Sequence, residues 1–189
     1  MKILPLILVG ASVWAADAPK PSRWESARLA IPDVSVLDQD GRNLHFYTDL
    51  VQGRTVAIQF VFTTCTTICT PLGATFRQVQ KRISDLKDVQ LISITVDPDH
   101  DRPEDLKEFA AKFGAEPGWT LVTGERNAIE KLLKSLQIFT ADKSAHRALV
   151  IIDNDRSGQW TRRSGLSPAA SLAAAIRETA AQKPALELE

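Results

Sequence analysis

A segment that is apolar at nearly every position, residues 55–62, ends just before Cys65 and Cys69, and this junction most constrains how the chain can fold. Apolar residues at nearly every position are typical of an interior strand that is covered on both faces of a sheet. A helical pattern follows the cysteines, so the two thiols are expected at a strand-to-helix turn, facing the same way. They are the only two cysteines in 189 residues. Such a pair can close a disulfide, exchange electrons with another thiol pair, or hold a soft metal ion.

Hydrophobic periodicity along the rest of the chain alternates between strands and helices. Strands are predicted at 34–37, 43–46, 55–62, 89–96, 120–122, 148–153 and 159–163, and helices at 71–86, 103–113 and 125–136. A last helix, capped by Ser167 and Pro168, is predicted to run to Ala180. This order predicts an α/β fold with helices on both faces of a mainly parallel central sheet, which becomes mixed through an antiparallel edge formed by the last two strands. The first two strands form an N-terminal β-hairpin.

The first residues predict an export signal. Lys2 precedes an apolar run from Ile3 to Trp14, and small residues follow, which is the pattern of a secretory signal cleaved after Ala15 or Ala16. The run is shorter than the about 20 apolar residues of a transmembrane helix, so a retained membrane anchor is the alternative. We therefore predict a periplasmic or otherwise exported protein with a signal peptide at 1–15, a linker at 16–28, one domain at 29–180 and a flexible tail at 181–189.

Charge and composition narrow the classes of partner. Lysine plus arginine equals aspartate plus glutamate, at 23 each, so nothing indicates nucleic acid or an anionic membrane as a partner. Hydrophobic residues make up 44% of the chain, which is ordinary for a globular domain, and two cysteines are too few for a disulfide scaffold. We expect a monomer that acts through one local site.

Two segments should meet at one edge of the sheet, because ligands collect beyond the carboxyl ends of parallel strands. Cys65 and Cys69 follow the strand at 55–62, and Asp97 to His100 follow the strand at 89–96. A disulfide closing so short a loop contributes little stability, so we favour a functional pair. The three-residue spacer is one residue longer than the Cys-x-x-Cys spacing of redox motifs and leaves room for an ion.

A third donor must come from the three histidines. Two thiolates suffice for copper(I), and an imidazole would extend the site to copper(II). His45 lies in a hairpin strand and is expected to face solvent, and His100 lies in the charged loop at 97–102. His146 precedes the strand at 148–153, in a loop expected beside the cysteines. We favour His146, with His100 and a site without histidine as the alternatives.

Four segments in this order resemble one known family. The first is the Cys-x-x-x-Cys segment at 62–69, and the second is the strand with its D-P-x-x-D-x-P-E pattern at 93–104. The third is His146 before an apolar strand, and the fourth is the stretch at 158–166 with its Trp-x-Arg. Together they are similar to the SCO/SenC copper-binding proteins over about residues 32–166. The resemblance implies a thioredoxin-like fold, copper ligation by Cys65, Cys69 and His146, and a role in assembling the copper centre of cytochrome c oxidase. Thr70 stands where that family commonly has a proline.

The leading hypothesis is an exported metallochaperone. It would bind one copper ion, as Cu(I) or Cu(II), through Cys65, Cys69 and His146 and pass it to the copper-centre subunit of a respiratory oxidase. The enzymatic alternative is a thiol-disulfide oxidoreductase in which Cys65 and Cys69 are the catalytic redox pair, served by a periplasmic thiol reductant. A binding module with a structural disulfide is the third possibility. Asp97 is expected to cap its turn or to lie near the metal loop.

Overall fold

The structure, a computed structural model, describes residues 28–65 and 67–183. The predicted signal peptide, all of the predicted linker except Arg28, and the tail from 184 onward lie outside the described residues. Among the described helices, none is long and apolar enough to cross a membrane.

The elements follow the predicted order. The strands are β1 (Ser35–Asp38), β2 (Asn43–His45), β3 (Thr55–Val61), β4 (Val89–Thr95), β5 (Trp119–Thr123), β6 (Leu149–Asn154) and β7 (Gln159–Ser164). The α-helices are α1 (Cys69–Arg82), α2 (Pro103–Phe113), α3 (Arg126–Ser135) and α4 (Ala169–Ala180). A π-helical segment, Phe46–Val51, follows β2, and a 3-10 turn, Lys143–Ala145, precedes β6.

The strands form one sheet in the order β2-β1-β5-β4-β3-β6-β7. The central strands β3, β4 and β5 run parallel, whereas the four remaining neighbouring pairs are antiparallel. The α/β class, the mixed sheet and the N-terminal hairpin are confirmed, but the expectation of a mainly parallel sheet is wrong. The physical reason is the segment between α3 and β6, which returns the chain to the edge that holds the cysteines before β6 begins. β6 therefore enters beside β3 in the opposite direction.

Strand β3 shows why this segment is apolar at nearly every position. Val56, Ile58 and Phe60 pack with α3 and the π-helical segment on one face of the sheet, while Ala57 and Val61 pack with α1, α2 and α4 on the other. Because successive side chains point to opposite faces, a strand covered twice is apolar at most positions. The buried polar Gln59 is accommodated because its amide N–H donates to the hydroxyl of Ser93 at 2.8 Å. β3 is thus fixed in the middle of the molecule, and its carboxyl end leads directly into the cysteine segment.

Local signals set most of the element ends. Helix α2 begins at Pro103 and ends before Gly114, which adopts the left-handed conformation with φ of 65° that glycine accommodates without strain. Phe46 was predicted to continue β2 but instead begins the π-helical segment, where it is fully buried. The predicted cap of α4 is also wrong in detail, because Pro168 occupies the N-cap position and no side chain caps that helix.

Candidate metal centre

Three chain segments lie side by side at one edge of the sheet, which we call the cysteine edge: the residues after β3, the residues after β4, and the residues before β6. β3 and β4 pair in parallel up to Val61 and Thr95. β3 and β6 pair antiparallel, with Gln59 opposite Val150. Beyond these pairs the ring of His146 contacts the ring of Phe62, so the histidine and cysteine segments meet at this edge.

The two cysteines occupy the turn that starts α1, as predicted. The backbone N–H of Cys65 donates to the carbonyl of Phe62 at 3.2 Å, and the backbone N–H of Cys69 donates to the Sγ of Cys65 at 3.4 Å. Both thiols are free. Cys69 is buried in the core against α1 and α4, whereas Cys65 is half-buried. One sulfur is therefore reachable from solvent and the other stands behind it.

The environments of the two thiols drive their pKa values apart. Burial raises the pKa of Cys65, but hydrogen bonds from the Cys69 thiol and from backbone N–H groups of Thr67 and Cys69 outweigh that effect, so its pKa lies below the ordinary value. Burial raises the pKa of Cys69 to about 12, and the hydrogen bond it makes to Cys65 adds to the shift. Cys65 is therefore the more readily ionised of the two thiols. The thiolate is the form of cysteine that attacks disulfides and binds metals.

A buried carboxylate, Asp101, ties the segment after β4 to the cysteine segment. Asp101 accepts hydrogen bonds from the backbone N–H of Thr63 at 3.1 Å and from its hydroxyl at 2.6 Å, and from the hydroxyl of Thr95. Burial raises the pKa of Asp101, although these hydrogen bonds oppose the shift. Sequence reasoning missed this residue. Its signal is the second aspartate of the D-P-x-x-D pattern, immediately before α2.

Asp97 links the same segment to the histidine segment. Its side chain accepts from the Nζ of Lys143 and contacts the Nδ1 of His100 at 2.9 Å. Burial raises the pKa of Asp97, but these two hydrogen bonds outweigh it and the pKa lies below its usual value. The turn is closed by the backbone carbonyl of Asp97, which accepts from the N–H groups of His100 and Asp101. The predicted side-chain cap is therefore not made, and the side chain instead bridges two segments.

His146 is buried, with 5% of its surface exposed, and its two ring nitrogens differ. The Nδ1 lies 2.9 Å from the carbonyl of Lys143; because a carbonyl can only accept, Nδ1 carries the proton. The Nε2 then has an unshared electron pair, and it has no hydrogen-bond partner among the described residues. The ring packs edge-on against Phe62, with centroids 5.4 Å apart. This is the tautomer in which an imidazole binds a metal through Nε2.

The three predicted ligands share the edge without forming a closed cluster. Among the described residues, no group of three histidine, cysteine, aspartate or glutamate side chains already stands in an arrangement that could hold a metal ion. His45 is exposed, as expected, and His100 is exposed at the surface and bonded to Asp97. Phe62 touches both sides of the gap, through its carbonyl to Cys65 and its ring to His146.

Sequence comparison connects this arrangement to known proteins. A family model described as SCO1/SenC matches residues 27–180. A curated relative, the SCO1 protein homolog of Bacillus subtilis, is 36% identical over 104 residues. That match covers 53% of this chain and 53% of the relative, so the chain spans about half the length of that protein.

Solved structures show the same fold. BsSco, described as a member of the Sco family of cytochrome c oxidase assembly proteins in which a disulfide switch was identified, is 26% identical, with a TM-score of 0.69 over 82% of this chain and 96% of that chain. Bradyrhizobium japonicum ScoI, solved with copper bound, is 23% identical, with a TM-score of 0.65 over 79% of this chain and 99% of that chain. The second similarity concerns the fold alone.

Proposed function

The chain belongs to the SCO1/SenC family, and we propose that it is an exported copper-binding protein that supplies copper to the copper centre of a respiratory oxidase. The observation that carries this proposal is the buried Nε2 of His146, which faces no hydrogen-bond partner among the described residues while Nδ1 is held by a carbonyl. An orphaned buried acceptor is costly unless it has a task. A metal ion bound at Nε2 would supply its missing partner.

The donor set suits copper. Thiolates are soft ligands that select Cu(I), and an imidazole nitrogen accommodates Cu(II) as well. Cys65, Cys69 and His146 would hold the ion once the segments that bear them close around it. Each bound thiol must release its proton, so copper uptake also releases protons. Oxidation of the cysteine pair would remove both sulfur ligands.

Copper titration of variants in which one histidine at a time is replaced by alanine tests the proposal. The reduced protein is titrated anaerobically with Cu(I) against a competing chelator. His146→Ala should weaken binding at least about tenfold, because loss of a ligand should cost no less than loss of an outer-shell partner usually does. His45→Ala, the exposed control, should bind like the original protein. His100→Ala distinguishes the alternative ligand predicted from the sequence. Unchanged affinity in His146→Ala, with folding intact by circular dichroism, would remove His146 from the site.

A second candidate function is thiol-disulfide exchange, favoured by the unequal thiols. The half-buried Cys65, with its lowered pKa, would attack a disulfide of a partner protein, form a mixed disulfide and release one partner thiolate. Cys69 would then attack the Sγ of Cys65, close the intramolecular disulfide and release the second partner thiol. Two electrons pass to the partner, and a periplasmic thiol reductant would restore the pair.

The two functions separate experimentally. His146→Ala should lower copper affinity but leave reduction of a model disulfide peptide unchanged, because exchange needs only the sulfurs. Cys69→Ser should trap a mixed disulfide at Cys65, detectable by mass spectrometry. We further propose that the protein acts outside the cytoplasm, on the basis of the apolar run from Ile3 to Trp14, and that it stays membrane-anchored where the signal is not cleaved. We also propose that it acts as a monomer.

A further inference from the structure

One buried carboxylate holds the residue that leads into the cysteine turn. Asp101, with 1% of its surface exposed, lies in the loop after β4. Its Oδ1 accepts from the backbone N–H of Thr63 at 3.1 Å and from the hydroxyl of the same residue at 2.6 Å. Its Oδ2 also accepts from that N–H, at 3.2 Å. Both hydrogen-bond donors of Thr63 are therefore directed at Asp101, two residues before Cys65.

The sheet does not provide a partner for Thr63. The pairing of β3 with β4 ends at Val61 and Thr95, and the N–H of Val96 then donates to the carbonyl of Val61 at 2.8 Å. Thr63 lies beyond this last bond, where no strand accepts its N–H. Backbone N–H groups that leave water need an acceptor. Asp101 supplies that acceptor from the neighbouring loop.

The carboxylate of Asp101 is itself held in place. The hydroxyl of Thr95 donates to Asp101 and accepts from the N–H of Asp97 at 2.9 Å. The N–H of Asp101 donates to the carbonyl of Asp97, also at 2.9 Å. Helix α2 begins two residues later, at Pro103. Because its side chain and its backbone are both bonded, Asp101 can hold Thr63 at a fixed place.

The position of Thr63 affects both sides of the proposed copper site through its neighbour, Phe62. The carbonyl of Phe62 accepts from the N–H of Cys65 at 3.2 Å, and its ring packs edge-on against the ring of His146. A shift of the peptide between Phe62 and Thr63 would therefore move the start of the cysteine turn and the ring that His146 contacts. Asp101 bonds directly to this peptide.

We propose that Asp101 is a positioning residue of the copper site, which through Thr63 fixes the spacing between the cysteine turn and His146 before the ion binds. This inference rests on the proposed copper function. Asp101 does not touch the ion and acts only through its hydrogen bonds to Thr63. Segments that are already held in place lose less conformational freedom on binding, so breaking this link lowers copper affinity without changing the ligands.

Substitutions at Thr63 test the link while Asp101 stays intact. Thr63→Val keeps the branched shape but removes the hydroxyl. It should lower the Cu(I) affinity of the reduced protein about tenfold, the lower end of the usual cost of losing an outer-shell partner. Thr63→Ser keeps the hydroxyl and should bind Cu(I) like the original protein. Competitive chelator titration measures both affinities.

Thr48 offers a matched control at the other end of the molecule. Its N–H and its hydroxyl donate to the carboxylate of Asp33 at 3.0 and 2.7 Å, which is the same arrangement. The adjacent Tyr47 bonds to Asp155, beyond the end of β6 that pairs with the start of β3. Thr48→Val should therefore leave Cu(I) affinity unchanged. Equal affinities of Thr63→Val and Thr48→Val would overturn the proposal.

Hydrogen exchange of the copper-free protein measures the positioning directly. In Asp101→Asn an NH₂ group replaces one oxygen, so the side chain cannot accept from Thr63 and Thr95 together. The amides of residues 63 and 65 should exchange several-fold faster in this variant by NMR, whereas the amide of Val96 should not change. An equal increase at all three amides would show that Asp101 only stabilises the fold, and would overturn the proposal.

A double variant decides whether Asp101 acts through Thr63. Asp101→Asn alone should also lower Cu(I) affinity about tenfold. Asp101→Asn/Thr63→Val should bind Cu(I) about as well as the weaker single variant, because both changes break one link. Fully additive losses would contradict the proposal. Failure of the original protein to bind Cu(I) would refute the copper function, and the exchange measurement would still decide whether Asp101 holds the cysteine turn.

Discussion

The two ends of the sheet handle their polar groups differently. At the end opposite the cysteine edge, the carboxylate of Asp155 accepts hydrogen bonds from the hydroxyl of Tyr47 and the backbone N–H of Gly53, both at 2.8 Å, and pairs with Arg28. The neighbouring Asn154 donates to the carbonyl of Thr179 at 2.9 Å. These groups are satisfied by the protein itself, as buried polar groups in a stable fold usually are.

At the cysteine edge the donors and acceptors stay available. The Nε2 of His146 has no partner among the described residues, and both thiols are free. Satisfied polar networks hold a structure rigid, whereas an unpartnered buried polar group costs free energy. The contrast teaches that one end holds the fold together, while the other end has the groups that the proposed copper site would use.

The largest predicted effect on copper affinity is that of removing one of the two sulfur atoms. Cys69→Ser should lower Cu(I) affinity by more than about a hundredfold, the upper end of the usual cost of losing an outer-shell partner, because a hydroxyl is a poor direct ligand for a soft ion. Competitive chelator titration measures it, with Thr70→Ser as the neighbouring control. Copper binding that survives in Cys69→Ser would mean that the open end is not the metal site.

A substitution at the end opposite the cysteine edge should lower stability and leave copper affinity unchanged. Asp155→Ala should cost about 2–3 kcal/mol of unfolding free energy, because it strips partners from Tyr47, Gly53 and Arg28. Copper affinity should stay the same. Urea unfolding followed by circular dichroism measures the unfolding free energy. Tyr47→Phe removes one hydrogen bond, so its unfolding free energy should lie between those of the original protein and Asp155→Ala. A large loss of copper affinity in Asp155→Ala would erase the distinction between the two ends.

Asp153 gives the stable end a pH dependence. Burial raises its pKa from 3.8 to about 7, with the charge of Asp155 adding to the shift. The folded protein therefore binds this proton more tightly than the unfolded chain, so the stabilisation is complete below about pH 4 and is lost as the pH rises through 7. Unfolding free energy should increase by up to about 2 kcal/mol from this residue between pH 8 and pH 5.

Replacing Asp153 with asparagine should remove this dependence of the unfolding free energy on pH. Denaturant unfolding of Asp153→Asn across that pH range should lack the increase that the original protein shows. The exposed control Glu178→Gln should keep it. Parallel profiles for Asp153→Asn and the original protein would show that Asp153 does not titrate with the fold.

The smallest predicted effect concerns the link between the histidine segment and Asp97. Lys143→Met removes the ion pair with Asp97 but keeps the backbone carbonyl that holds His146. The side chain of Lys143 is 39% exposed, so the pair is worth under about 1 kcal/mol and copper affinity should fall only a few-fold. The same chelator titration resolves this change. A loss as large as that of His146→Ala would make Lys143 essential to the site.

Much of the fold follows from local pattern. The apolar run of β3, the proline and glycine that bound α2, and the heptad-like spacing of α1 were sufficient to place those elements, because burial and helix-end chemistry act on neighbouring residues. The direction of β6 was not predictable in this way. It depends on the path of the segment after α3, which carries no periodic signal.

The sequence by itself determined the fold class and the paired thiols, because strand and helix periodicity and the spacing of Cys65 and Cys69 are local properties. Only the tertiary structure decided that Asp101 accepts hydrogen bonds from Thr63 and that the ring of His146 packs against the ring of Phe62. These are contacts between residues far apart in the chain. They arise from how the sheet orders its strands, which no single segment encodes.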